Sequence, residues 1–391
     1  MSSRRVRTYN KISSLGLDIL TQSGYTVDGE IEGAEGIVLR SHKLAPEQIE
    51  DTVLAVARAG AGVNNIPVDH CTGRGVVVFN TPGANANSVK ELVITGLLLS
   101  SRKIVEGIEW VRSLGDADDV SARVEKAKSG FAGPEIAGKT LGVVGLGAIG
   151  VMVANAASAL GMNVIGYDPY ISVASAWGLS RAVGRAHDLN ELFAASDYVT
   201  LHAPLLDSTK NMINKDSISQ MKTGARLLNF ARGGLVNDSD VAAALDSGAL
   251  SAYVTDFPSA TLSSHDKVVP VPHLGASTPE AEDNCAVMAA RQLQDYLETG
   301  NIENSVNFPS CNMRPSGAYR LVVANRNIPN MVGQYTTILA RHGYNILDLL
   351  NRHKDEVAYN VIDLQEEMAQ AVIDEISAID GVIMARYLGK V

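Results

Sequence analysis

Cysteine is scarce in this sequence, and the three that occur, Cys71, Cys285 and Cys311, lie far apart. With no Cys-x-x-Cys pair and no Cys/His cluster, neither a disulfide framework nor a metal site is indicated, which suits a reducing, cytoplasmic setting. Long apolar runs are missing too. The longest, Leu92 to Leu99, is far too short to cross a bilayer, and Met1-Ser2-Ser3-Arg4-Arg5 leads into no signal-type apolar region. Basic residues are outnumbered, 33 Lys and Arg against 43 Asp and Glu, and the net charge of −10 argues against nucleic acid or an anionic membrane as a partner. A small anionic ligand stays open wherever local arginines outweigh the global field.

What remains is an ordinary folded composition, 46% hydrophobic and 19% charged, over 391 residues, enough for two or three domains with their own cores. Its organising stretch is Leu141 to Gly150. A Val-rich run breaks into Gly145-Leu146-Gly147-Ala148-Ile149-Gly150 and continues as a small apolar helix toward Leu160, with Gly161 placed to stop it. Strand, Gly-x-Gly-x-x-Gly turn and helix make a dinucleotide fingerprint. Gly145 permits the turn, Gly147 lets backbone approach a pyrophosphate, and Gly150 allows close helix-strand packing. The phosphates would sit on the helix N-terminus at Ala148 and Ile149. The next apolar run, Asn163 to Tyr167, ends in Asp168, where an acid meets ribose hydroxyls and repels a 2′-phosphate. NAD is therefore favoured over NADP.

Before this turn, from Val6 to about Thr81, strands read at 36–40, 53–56 and 76–79 alternate with helical segments near 12–22 and 46–51. A helix follows from Asn87 to about Arg102, and 103–135 reads as helix then loop. Beyond the turn come a helix near 189–195, a strand at 198–202, a helix near 215–221, a strand at 225–231, a helix near 239–245, and strands at 251–256 and 268–271. Such alternation predicts a doubly wound parallel sheet. Ser277-Thr278-Pro279-Glu280 is a capping box opening a long helix to about Glu298. Residues 301–316 are polar and read as a linker. The last stretch gives strand 319–324, helix 331–342, strands 346–352 and 357–364, helix 367–376 and strand 382–387, the βαββαβ order of a ferredoxin-like module.

Three features end strands and carry chemistry. Arg232 follows Asn229-Phe230-Ala231, His273 follows Pro272, and Arg40-Ser41 ends a strand of the first domain and would face them across a cleft. An arginine fork binds a carboxylate bidentately, and a histidine titrates near neutral pH. With NAD they point to oxidation of a hydroxy acid, Arg232 holding the carboxylate or carbonyl and His273 taking the hydroxyl proton. His202, also at a strand end, is the rival histidine.

Residues 59–66, 79–87, the glycine turn, 229–234 and 272–278, in that order, resemble the D-isomer-specific 2-hydroxyacid dehydrogenases, and the last module is similar to an ACT regulatory domain. The resemblance implies a Rossmann-type domain inserted in a flavodoxin-like substrate domain. Its parts would be 1–84 and 277–305 for substrate, 85–276 for NAD, a linker at 306–316 and an ACT-like domain at 317–391. It implies NAD-linked oxidation of a phosphorylated 2-hydroxy acid, 3-phosphoglycerate, at the entry to serine synthesis. Arg232 and His273 would be catalytic. His202, Ala203, Pro204, Ala231 and Asp256 would line the cofactor beside Gly145 to Gly150 and Asp168. Backbone at Ala61 and Gly62 would bind the substrate carboxylate, and Arg40, Ser41 and Lys43 its phosphate. The family glutamate that hydrogen-bonds the histidine has no counterpart in Asp256 to Leu262; Asp256 or Asp266 stands in, or His273 works alone. Asp256 is equally placed to contact the nicotinamide amide. In the module, Asn327 and Asn345 are the amino-acid effector candidates, although Asn325 and Asn330 depart from serine-sensing relatives. A homodimer or homotetramer is expected. The competing readings are a glyoxylate, hydroxypyruvate or lactate reductase, and a non-catalytic NADH-sensing protein.

Overall fold

In the computed structural model, residues 4–391 are described; Met1, Ser2 and Ser3, where the N-terminal reading began, lie outside them. The chain divides into two compact units, Met1–Ala84 with Glu282–Val391, and Asn85–Ala281.

The first unit opens with a five-stranded parallel sheet, β1 (Arg5–Tyr9), β2 (Thr26–Asp28), β3 (Gly36–Leu39), β4 (Ala55–Arg58) and β5 (Val77–Phe79), in the order β2-β1-β3-β4-β5. Strands β3, β4 and β5 are buried but for Arg58 at the end of β4, so they read as apolar runs. Helix α1 (Ser14–Gln22) is capped by the Ser13 hydroxyl, which accepts from Leu15 N, and α2 (Val68–Gly73) joins β4 to β5. Two readings need correction. The strand placed at 53–56 begins two residues later, because Val53 N closes a turn on Glu50 O and only then does the chain extend. The helix placed at 46–51 is a single 3₁₀ turn, Pro46–Gln48.

The inner unit begins with α3 (Ala86–Ser101), α4 (Ile104–Ser113) and α5 (Val120–Ala127), so the stretch read as helix then loop holds a second helix. Then come β6 (Thr140–Val144), α6 (Ala148–Ala159), β7 (Asn163–Tyr167), α7 (Val173–Gly178), β8 (Gly184–Arg185), α8 (Leu189–Ala195), β9 (Tyr198–Leu201), α9 (Lys215–Ser219), β10 (Ala225–Asn229), α10 (Asp238–Ser247), β11 (Leu250–Thr255) and β12 (Val268–Pro270). The seven strands are parallel in the order β12-β11-β10-β9-β6-β7-β8. The order reverses between β6 and β9, which makes a switch point at their carboxyl ends, where open α/β sheets take ligands. A core lies on each face, one around Leu141, Val143 and Ala154, the other around Val144, Leu201 and Leu227.

Helix α11 (Pro279–Thr299), begun by Thr278, whose hydroxyl accepts from Ala281 N, packs Ala286, Ala289, Leu293 and Leu297 into the core of the first unit. Residues 301–316, read as a linker, are instead packed. Ser305 bridges Phe79, Ile302 bridges Cys311, and Phe308 and Cys311 are buried. The ferredoxin-like module follows as β13 (Tyr319–Arg326), α12 (Met331–Arg341), β14 (Ile346–Lys354), β15 (Val357–Leu364), α13 (Gln370–Ser377) and β16 (Val382–Lys390), an antiparallel sheet in the order β14-β15-β13-β16. Its helices cover one face through Leu321, Val323 and Ile362. The opposite face, with Val322, Ala324 and Tyr359, shares a core with Leu297, Ile302 and Phe308.

Candidate functional site

Because the inner sheet is wholly parallel, Gly145, Asp168, His202, Arg232, Asp256 and His273 all leave it at one edge, the carboxyl edge. The glycine turn has the geometry its spacing requires. Gly145 has φ of +92°, and a Cβ there would press on the His202 carbonyl. A Cβ on Gly150 would overlap the Gly145 carbonyl oxygen, whereas one on Gly147 would meet nothing, leaving open space before the first turn of α6 at Ala148 and Ile149. That bare cradle at a helix N-terminus fits a dinucleotide pyrophosphate. The Asp168 carboxylate accepts from Leu146 N and Tyr170 N, both at 2.8 Å, and so ties the end of β7 to the turn. Each oxygen keeps a lone pair for a ribose hydroxyl.

Asn229 is fully buried at the end of β10, and its amide brackets the next turn: Nδ2 donates to Arg232 O at 2.9 Å while Oδ1 accepts from Ala231 N at 3.2 Å. This presents an exposed Arg232, whose Nη1 rests on the Ala231 carbonyl at 2.6 Å. Two strands away, His273 is exposed and lies against the Phe257 ring, centroids 4.6 Å apart. Between them, at the residue after β11, Asp256 is 1% exposed. Its Oδ2 accepts from Gly275 N at 3.3 Å and its Oδ1 has no partner. Burial raises the Asp256 pKa, partly offset by the charges of His273 and Arg232. Asp266 precedes β12, at the opposite edge from His273, so of the two carboxylates weighed only Asp256 shares the histidine's edge. His202 proves a poor rival: burial pushes its pKa down to about 4, and Nε2 pairs with Thr200 Oγ1 at 3.0 Å. Ala203 and Pro204 continue from it, the Pro204 carbonyl accepting from Thr209 Oγ1.

In the first unit, Arg40 leaves β3 with its Nη1 2.6 Å from Glu282 Oε1, and Ser41 and Lys43 are exposed. The sequence reading missed Arg58, at the end of β4 and in register with Leu39; its Nε donates to Arg40 O at 3.1 Å and its guanidinium lies against Gly60. A two-residue error in β4 hid it, since a strand ending at Val56 leaves Arg58 in a loop. Asn80 Nδ2 donates to Ala61 O at 2.7 Å, fixing the turn that holds Ala61 and Gly62.

The structure does not bring the effector candidates together within one chain. β13 and β14 both run antiparallel to β15, so Asn327, after β13, and Asn345, before β14, stand at opposite ends of the sheet, roughly 25 Å apart at strand rise. Asn327 Nδ2 donates to Asp355 O and Asn345 Nδ2 to Gln365 Oε1. Among the described residues no cluster of His, Cys, Asp and Glu could hold a metal, and no helix is long and apolar enough to cross a membrane.

Fold and edge together define a dinucleotide-binding α/β protein with an arginine, a histidine and a buried carboxylate at its ligand edge. Residues 94–275 match the NAD binding domain of the D-isomer specific 2-hydroxyacid dehydrogenases. The chain is 31% identical to D-3-phosphoglycerate dehydrogenase of Haemophilus influenzae, over 97% of this chain and 96% of that protein. It is 38% identical to that of Methanocaldococcus jannaschii over 72% of this chain, but spans only about half, 53%, of that relative. Among solved structures, NAD+-bound 3-phosphoglycerate dehydrogenase of Entamoeba histolytica superposes with a TM-score of 0.61 at 26% identity, over 78% of this chain and 99% of that one. The chain belongs to the D-isomer specific 2-hydroxyacid dehydrogenases and is an NAD-dependent enzyme of that family.

Proposed function

We propose that the protein oxidises D-3-phosphoglycerate to 3-phosphohydroxypyruvate, the entry step of serine biosynthesis, as a cytoplasmic enzyme. The observation that supports this most is the convergence of Arg232, Asp256 and His273 on the edge that carries the glycine turn. NAD, when bound, accepts the hydride from the substrate's hydroxyl-bearing carbon. Arg232 holds the substrate carboxylate or carbonyl, and His273 takes the hydroxyl proton. Gly145 to Gly150 and Asp168 hold the dinucleotide, lined by His202, Ala203, Pro204 and Ala231. Arg40, Ser41 and Lys43, joined by Arg58, bind the phosphate, and the backbone of Ala61 and Gly62 the carboxylate. In this reading residues 1–84 and 277–305 serve the substrate, 85–276 the cofactor, and 317–391 a regulatory role.

With 3-phosphohydroxypyruvate and NADH the purified protein should turn over, and Arg232→Ala should cut kcat/KM by about a hundredfold or more. Equal activity in that variant removes Arg232 from the chemistry. Arg40 is already engaged by Glu282, which favours a second reading, a reductase of unphosphorylated 2-keto acids. Comparing kcat/KM with and without the substrate phosphate separates the two. Tight NADH binding without turnover across 2-keto acids would point to a sensor. An amino-acid effector at Asn327 and Asn345 requires a second copy to pair its module along β14, so a strictly monomeric protein would remove it.

A further inference from the structure

We propose that His42 is a positioning residue that sets the Arg40–Lys43 loop, and through it the preference for a phosphorylated substrate. The proposal rests on the reading of Arg40, Ser41 and Lys43 as phosphate ligands. His42 is the member of this loop whose side chain turns inward. Its ring lies flat on Tyr9, centroids 4.4 Å apart and planes within 6° of parallel. Its Nε2 is 3.1 Å from Gln48 Oε1.

The same Gln48 oxygen accepts from Ala45 N at 2.8 Å. The backbone N–H identifies that atom as the amide oxygen, which carries no proton, so Nε2 holds the proton and His42 is the donor. The imidazole is thus fixed in ring plane by Tyr9 and in rotation by Gln48. Both supports are themselves anchored. Tyr9 ends β1, two residues after Arg7, which donates to Ile31 O and is ion-paired with Glu50 at 2.6 Å, and Gln48 lies in the 3₁₀ turn. The backbone on either side is held as well: Asn65 Nδ2 donates to His42 O at 2.7 Å and to Arg40 O at 3.1 Å, and the His42 N–H donates to Asn10 Oδ1. The loop therefore leaves β3 with its inward residue clamped while Ser41 and Lys43, on either side, project to solvent. Contacts to a phosphate depend on placing each donor within a fraction of an ångström, and a misplacement of about 1 Å can cost up to a hundredfold.

The test uses the purified full-length chain with NADH and two substrates, 3-phosphohydroxypyruvate and hydroxypyruvate, which lacks the phosphate. In His42→Ala the ratio of kcat/KM for the first over the second should fall about tenfold, chiefly through KM for the phosphorylated substrate. His42→Phe, which keeps the stack and loses the Nε2 bond, should fall less. Arg40→Ala should lower the same ratio at least as far. If Arg40→Ala lowers it and His42→Ala does not, His42 only packs and the proposal is overturned while the phosphate reading stands. If Arg40→Ala leaves the ratio intact, the phosphate reading itself fails and takes the proposal with it. A variant that loses both substrates equally, with a lowered Tm, shows a purely structural role and also overturns it.

Discussion

His202 and His273 both follow the carboxyl ends of strands, β9 and β12, yet burial separates their chemistry. His202 has a folded pKa of about 4 against 6.5 in the open chain, so the fold binds fewer protons there. Its contribution to stability is full above pH 6.5 and is lost as pH falls toward 4, a loss of at most about 3 kcal/mol. Urea unfolding should show His202→Gln losing less stability than wild type over that interval; parallel losses would mean the ring is better solvated than it looks. At Asp256, whose carboxylate interacts with the charges of His273 and Arg232, Asp256→Asn should cut kcat/KM about tenfold. Unchanged activity would leave His273 working alone. Position after a strand put Arg232 and His273 among the candidates, beside His202, and did no more than that. The difference between a solvent-facing histidine and a more enclosed one is not legible in the sequence, since it depends on Thr200 Oγ1 and on neighbours distant in the chain.

The glycine turn was legible because its constraint is local: three glycines at fixed spacing serve one strand, one turn and one helix. Their roles differ enough to test. Gly150→Ala forces a Cβ onto the Gly145 carbonyl and should lower stability by about 1–3 kcal/mol as well as weaken NADH binding. Gly147→Ala meets no atom of the protein, so the Tm should hold while the dissociation constant for NADH rises tenfold or more. Calorimetric titration beside thermal melts separates the two. The segment 301–316 misled the reading for the opposite reason. Its asparagines look like loop residues, but the Asn307 amide accepts from Val78 N at 2.8 Å and donates to Val76 O at 2.9 Å. It imitates the backbone of an added strand. Composition cannot distinguish an amide in solvent from one standing in for a peptide group.

At the scale of the molecule, the alternation of strands and helices predicted the parallel sheets and the βαββαβ module, while the burial of both faces of that module's central strands, β13 and β15, was hidden. Its key is Arg320, fully buried, which pairs with Asp363 at 2.7 and 3.0 Å and donates to the carbonyls of Thr299, Met313 and Arg314. Arg320→Met alone should cost about 3–5 kcal/mol by stranding Asp363, and Arg320→Met with Asp363→Leu should recover most of it. Equal losses in denaturant titrations of the single and double variants would mean that the carbonyl contacts, and not the ion pair, dominate.

The last turn of α11 is finished from far downstream: Arg320 Nη1 reaches Thr299 O, the Tyr359 hydroxyl donates to Gly300 O, and Arg386 covers the Tyr296 ring while donating to Tyr296 O and Leu297 O. Synthesis runs from the N-terminus, so the inner unit has all its strands long before residue 386 leaves the ribosome. The first unit must wait. Nascent chains stalled near residue 350 should therefore carry a protease-resistant nucleotide-binding sheet beside an α11 end that is still cleaved, and resistance there should arrive only with the final strand.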